Sequence, residues 1–171
     1  MEPAHQISSD ASIFAAIDTI IEHQYALVRN EENKIVGIVT TSDLSRQFGQ
    51  LGEPFLLLGE IENHVRRLID GKFTAAEVKS VVHDPQNNRV VETVADLQFG
   101  EYIRLLEEPK RWDKLALPVD RNVFVKNLER VRTIRNDVMH FDPDGIAEDD
   151  LDALRKFVQF LATLQALGAM A

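Results

Sequence analysis

The hexapeptide GQLGEP, residues 49 to 54, separates two stretches of different hydrophobic period. Before it, β-branched residues gather in the short runs YALVRN and KIVGIVT, which have the length and composition of strands. After it, apolar residues recur almost only at three- and four-residue spacing, which restricts that part to helices packed on helices. Two glycines and a proline in six residues also predict a break in any helix there. The expected fold class is α+β: a small α/β half-module over residues 1–50, a linker over 49–54 and an all-α four-helix bundle over 54–171.

The first part reads as short strand, helix, strand, strand, helix. Ile13, Ala16, Ile17, Ile20 and Ile21 form one helical stripe, with Asp10 or Ser12 as cap. The polar EEN joins the two β-branched runs as a turn between paired strands. TSDLSRQF then opens a helix, capped by Thr41 or Ser42 with Asp43 in its first turn. In the second part Phe55, Leu58, Ile61, Val65 and Leu68 share a face, and Gly71 stops that run. TAAEVKSVV predicts a short helix and HDPQNNRV a polar loop. FGEYIRLLEE is a helix closed by Pro109, residues 120–140 a long helix starting on Asp120, and residues 148–167 a last one with an acidic first turn.

Composition narrows the function. With 44% hydrophobic and 27% charged residues, the 171-residue chain is expected to be an ordinary globular protein. No apolar run approaches the ~18 residues that span a bilayer, and MEPAHQISSD lacks a signal-peptide layout, so a cytoplasmic location without a membrane partner is expected. The absence of cysteine excludes disulfides and thiolate zinc sites. A net charge of -9, from 28 acidic against 19 basic groups, argues against a protein that coats nucleic acid non-specifically. Any nucleic-acid role must be local.

GIVTTSD, residues 37 to 43, lies where a strand turns into a helix. A hydroxyl, a helix start and a carboxylate can there face one small ligand, with Thr40 toward phosphate and Asp43 toward ribose hydroxyls. The same residues can instead cap the helix and complement its dipole. Residues 8–48, with Gly37, Thr40 and Asp43 matching G-x-x-T-x-x-D, resemble a CBS domain. That resemblance implies a regulatory module binding an adenine nucleotide such as AMP or ATP through Thr40 and Asp43, with Ile7, Tyr25 and Ala26 lining the base. Such domains usually come in pairs, and a unit of about 50 residues has too little interior to stand alone. A homodimer is therefore expected; a chain beginning so near the half-module could also be a piece of a longer regulator.

RTIRNDVMHF, residues 132 to 141, closes the long helix. Over residues 121–140, Arg121, Lys126, Arg130, Arg132 and Arg135 outnumber Glu129 and Asp137, a local +3 against -12 for the rest of the chain. That suits a phosphate-binding surface, and equally a solvated face laced with salt bridges. Asn136 and His140 fall one turn apart, with Arg135 displaced toward the edge of their face. The R-N-x-x-x-H spacing within a four-helix pattern over residues 54–167 resembles the HEPN superfamily. This resemblance implies a dimeric, metal-independent endoribonuclease: His140 exchanging protons with the RNA 2′-hydroxyl or the leaving 5′-oxygen, Arg135 holding the scissile phosphate, Asn136 orienting the group, and no cofactor required for catalysis. Histidine suits both proton transfers near neutrality, and the guanidinium fork matches two phosphate oxygens. The alternative is a non-catalytic regulatory or dimerisation protein that binds an adenine nucleotide, RNA or a protein partner through the same helices.

Other signals carry less. His140, Asp142, Asp144, Asp149 and Asp150 lack the ligand alternation of a calcium loop; Asp142 to Gly145 reads as a turn and Glu148 to Asp150 as a helix start. His5, His23, His64 and His83 have no mutual ligand spacing and read as surface or satisfied polar residues. Trp112, Phe99, Tyr102, Phe124, Phe157 and Phe160 are expected in the core.

Overall fold

A computed structural model describes residues 5–84, 86, 88–139 and 146–168. The chain forms two compact units, Met1–Glu53 and Pro54–Ala171. The first holds β1 (Gln6–Ser8), α1 (Ile13–His23), β2 (Tyr25–Arg29) and β3 (Ile35–Thr40), in a sheet ordered β1-β2-β3. β1 pairs parallel to β2, and β2 antiparallel to β3. Asn33, at φ 62°, turns the chain between β2 and β3, a conformation asparagine tolerates. Ser12 caps α1.

Among the described residues, only Ala16, Ile20, Ala26 and Leu44 form the buried core of this unit. The α1 stripe is thus half used: Ile13 and Ile21 are exposed, because one small sheet covers only one side of the helix.

The next helix, α2, runs unbroken from Thr41–Ile69, with Pro54 inside it. The interruption expected at residues 49–54 does not occur. Gly49 and Gly52 keep negative φ, and a Cβ on either would meet nothing within 4 Å, so they enter a helix at a modest entropic cost. Pro54 removes one backbone donor, and the apolar stripe that follows it sustains the helix: Leu58, Ile61 and Val65 are buried. Phe55, assigned to the same face, is exposed. Gly71, at φ 67°, ends the run in the left-handed region that favours glycine.

The second unit adds α3 (Ala75–Ser80), a 3₁₀ turn (Val94–Asp96), α4 (Phe99–Glu107), α5 (Pro109–Asp113), α6 (Arg121–Met139) and α7 (Glu148–Gly168). Thr74 and Glu77 make a reciprocal cap at the start of α3. Pro109 closes α4 and opens α5 at once: its missing N–H is one the first turn leaves unpaired, and Glu108 caps α5 by accepting from the Arg111 amide. The α6 residues Phe124, Leu128, Val131 and Ile134 meet Tyr102, Ile103, Leu105 and Leu106 of α4 and Leu154, Phe157 and Leu161 of α7 in one core. Trp112 is buried and packs on Phe124 at a ring separation of 5.1 Å. Phe160 departs from expectation: stacked on Phe157, it sits at the rim of a groove between α6 and α7 and stays exposed.

Candidate functional site

Each unit carries its own candidate site. In the first, Thr40, rather than Thr41 or Ser42, caps α2. Its hydroxyl donates to Asp43 Oδ2 at 2.7 Å, its amide to the same oxygen at 3.0 Å, and the Asp43 amide returns a bond to Thr40 Oγ1 at 3.3 Å. The Asp43 carboxyl lies below its ordinary range, first through the Thr40 hydroxyl and amide, then through Arg46, whose Nη2 is 2.5 Å from Oδ1. T-x-x-D is at once the ligand pattern and a reciprocal helix cap, and the structure shows the second arrangement.

Tyr25 is the cross-strand partner of Thr40, so their side chains share one face of the sheet. Ala26 points the other way and is fully buried, while Ile7, the partner of Val28, packs against that same small core. The side chains beside Tyr25 are those of His5, edge-on at 6.5 Å, and of His23, stacked on His5 at 3.2 Å. Sequence spacing hid this trio, since His5 and His23 meet only through the pairing of β1 with β2. Thr40, Asp43 and Tyr25 are therefore together, whereas Ile7 and Ala26 are not among them.

In the second unit, Arg135 follows Phe124, Leu128 and Val131 at steps of four, three and four. It extends the packed stripe of α6 to the end of the bundle, where it is half-buried and Asn136 is exposed. His140 lies outside the described residues, as do Asp142 and Asp144. Arg130 bonds the Asp149 carbonyl and Asp150, each at 3.1 Å, and Arg132 Nε pairs with Glu129 at 3.2 Å. The salt-bridged face anticipated for α6 thus exists at those two positions. Arg135 has no ion-pair partner among the described residues.

One charged centre went unrecognised in the sequence. Glu101 on α4 is 1% exposed, yet it accepts from Arg89 at 2.7 and 3.1 Å, from the Gln98 amide at 2.7 Å and from the His83 amide at 3.2 Å. Burial alone would raise its carboxyl; the Arg89 guanidinium and the two amides outweigh it and hold the group below its usual range. Among the described residues no three of His, Asp and Glu gather as a metal site, and no helix is long and apolar enough to cross a membrane.

The CBS domain family matches residues 1–49, the stretch that holds the small sheet, α1 and the T-x-x-D helix start. The chain carries an N-terminal CBS domain. No curated protein and no solved structure matched the chain. CBS domains commonly bind adenine nucleotides and often dimerise, which suggests a nucleotide-sensing, regulatory role for this unit. In this CBS domain, a Cβ on Gly37 would come no closer than 3.9 Å to Val28 Cβ, and Thr40 closes on Asp43.

Proposed function

We propose that the CBS domain binds an adenine nucleotide and regulates the helical unit, and that the helical unit is a HEPN-type, metal-independent endoribonuclease working as a homodimer. The observation that carries the proposal is the end of α6: a half-buried Arg135 without a carboxylate partner among the described residues, beside an exposed Asn136, within the sequence RNDVMH. An arginine held in a packed stripe, with no carboxylate on it among the described residues, is suited to an anion. In this reaction the RNA 2′-oxygen attacks the adjoining phosphorus as the P–O5′ bond breaks, leaving a 2′,3′-cyclic phosphate and a 5′-hydroxyl. His140 takes the 2′-hydroxyl proton or delivers one to the 5′-oxygen, Arg135 stabilises the charge on the phosphate, and Asn136 orients it. Two copies related by a two-fold axis supply two histidines, one for each proton transfer. The nucleotide is the regulatory ligand, bound through Thr40 and Asp43 with Tyr25 against the base; no cofactor enters the cleavage.

Pure protein incubated with RNA, with and without EDTA, tests the reading against His140→Ala and Arg135→Ala. Cleavage that survives EDTA and is lost in both variants supports the nuclease. Equal or absent cleavage in all three leaves the alternative, a non-catalytic regulatory or dimerisation protein built on the same helices.

A further inference from the structure

Where α4 and α6 lie side by side, two further arginines come to one point. The helices run antiparallel: Arg121 at the start of α6 donates to the Glu107 carbonyl at the end of α4, and Arg132, eleven residues on, lies over Gly100 at the start of α4. From the position a Cβ would take on Gly100, Arg132 Nη1 is 3.7 Å away and Arg104 Nη1 3.9 Å. Two guanidinium groups therefore converge above a stretch of backbone that has no side chain of its own.

Both are fastened from behind. Arg104 Nε donates to the Val81 carbonyl at 2.9 Å, and Arg132 Nε meets Glu129 at 3.2 Å. Neither Nη1 has an acceptor among the described residues. The carboxylate nearest Arg104 is Glu101, 3.6 Å from its Nη2, and that group is already saturated by Arg89 and two amides. Within 4 Å, Arg104 has only Glu101, which Arg89 already occupies, and Arg132 only Glu129, so the two Nη1 atoms face each other with no carboxylate between them among the described residues. Like charges held this close repel, and an anion between them removes the repulsion.

Place gives the anion its class. Asn136 follows Arg132 by four residues, so the two lie on one side of α6 about one turn, ~5.4 Å, apart. Arg135 lies between them in sequence. We propose that Arg104 and Arg132 hold a backbone phosphate of single-stranded RNA next to the one assigned to Arg135. This rests on the RNA reading above, but it concerns binding and positioning rather than proton transfer. Planar forks pinned at Nε with Nη1 free are arranged for phosphate oxygens before any ligand arrives, and so lose little freedom on binding.

The test measures anisotropy of a labelled ten-nucleotide single-stranded RNA across a salt series. The protein is the full chain carrying His140→Ala, which prevents cleavage, and is compared with the same chain carrying Arg104→Gln, Arg132→Gln or both. Melting curves check that each variant is folded; both side chains are well exposed, so the fold should survive. The expected result is roughly tenfold weaker binding in the double variant, with the slope of log K against log salt reduced by about 0.7, the release expected for one single-strand phosphate contact. Unchanged affinity and slope in the double variant, or no RNA binding by the parent, overturns the inference. RNA binding that depends on this pair in a protein that never cleaves leaves the inference standing and removes the nuclease reading.

Discussion

The Thr40 hydroxyl donates to the Asp43 carboxylate at 2.7 Å, so the two side chains assigned to phosphate and ribose are bonded to each other. A nucleotide at this place competes with, or adds to, a closed helix cap. Millimolar AMP or ATP is expected to raise the melting temperature of the wild type, and Asp43→Ala to abolish that rise. Thr40→Ala should lower stability without ligand by about 1 kcal/mol, the typical worth of such a cap. An equal ligand shift in wild type and Asp43→Ala, read by thermal melting, would remove this pocket.

Glu101 is the buried charge of the helical unit, and replacing it should be expensive. Glu101→Gln removes the negative partner of Arg89, and a loss on the order of 3 kcal/mol is expected in urea unfolding. The pH dependence has a definite sign. A carboxyl held below its unfolded value near ~4.3 contributes stability above that pH and loses it as pH falls through the lower, folded value. Glu77, brought to about 2 first by Lys114 and then by the Thr74 amide and hydroxyl, behaves the same way. The wild type should therefore lose stability progressively from about pH 4.3 toward pH 2, and Glu101→Gln should show a shallower acid decline.

Gly49 and Gly59 lie inside α2 with open space where a side chain would go. Gly49→Ala and Gly59→Ala are each expected to raise stability by about 0.5 to 1 kcal/mol, because alanine narrows the unfolded ensemble and favours helix. Calorimetry of the two variants checks this. A decrease at either position would show that a second chain packs against that glycine.

Ile35, Val36 and Ile38 of β3 are each more than half exposed, on a strand at the edge of its sheet. If the proposed homodimer buries this strand, Ile38→Lys should shift the mass in solution from two chains to one, as read by light scattering. A wild-type monomer at the same concentration would remove both the paired sensor and the shared cleft.

Much of this architecture could be read from residue patterns, and the exceptions have physical causes. The strands around the EEN turn and the helices on the Phe124 and Leu154 stripes are local signals, and they appear as such. The continuity of α2 was hidden because Gly49, Gly52 and Pro54 speak for their own positions, while the stripe of Leu58, Ile61 and Val65 decides for the whole helix. At the first site, Thr40 and Asp43 stood out, but one spacing serves both a ligand and a cap, and only geometry separates them. Ala26 and Tyr25, read together along the sequence, lie apart because alternation along β2 puts Ala26 on the core side and Tyr25 on the other. Glu101 was invisible: its partner Arg89 lies in a loop that reads only as polar. The convergence of Arg104 and Arg132 on Gly100 likewise depends on two helices running side by side in opposite directions.

Trp112 is the chain's sole indole, and it is sealed against Phe124 in the helical unit. Its fluorescence consequently follows that core. A change in emission colour on adding nucleotide would then be a message received rather than a message sent, giving an optical measure of communication between sensor and effector without any attached dye.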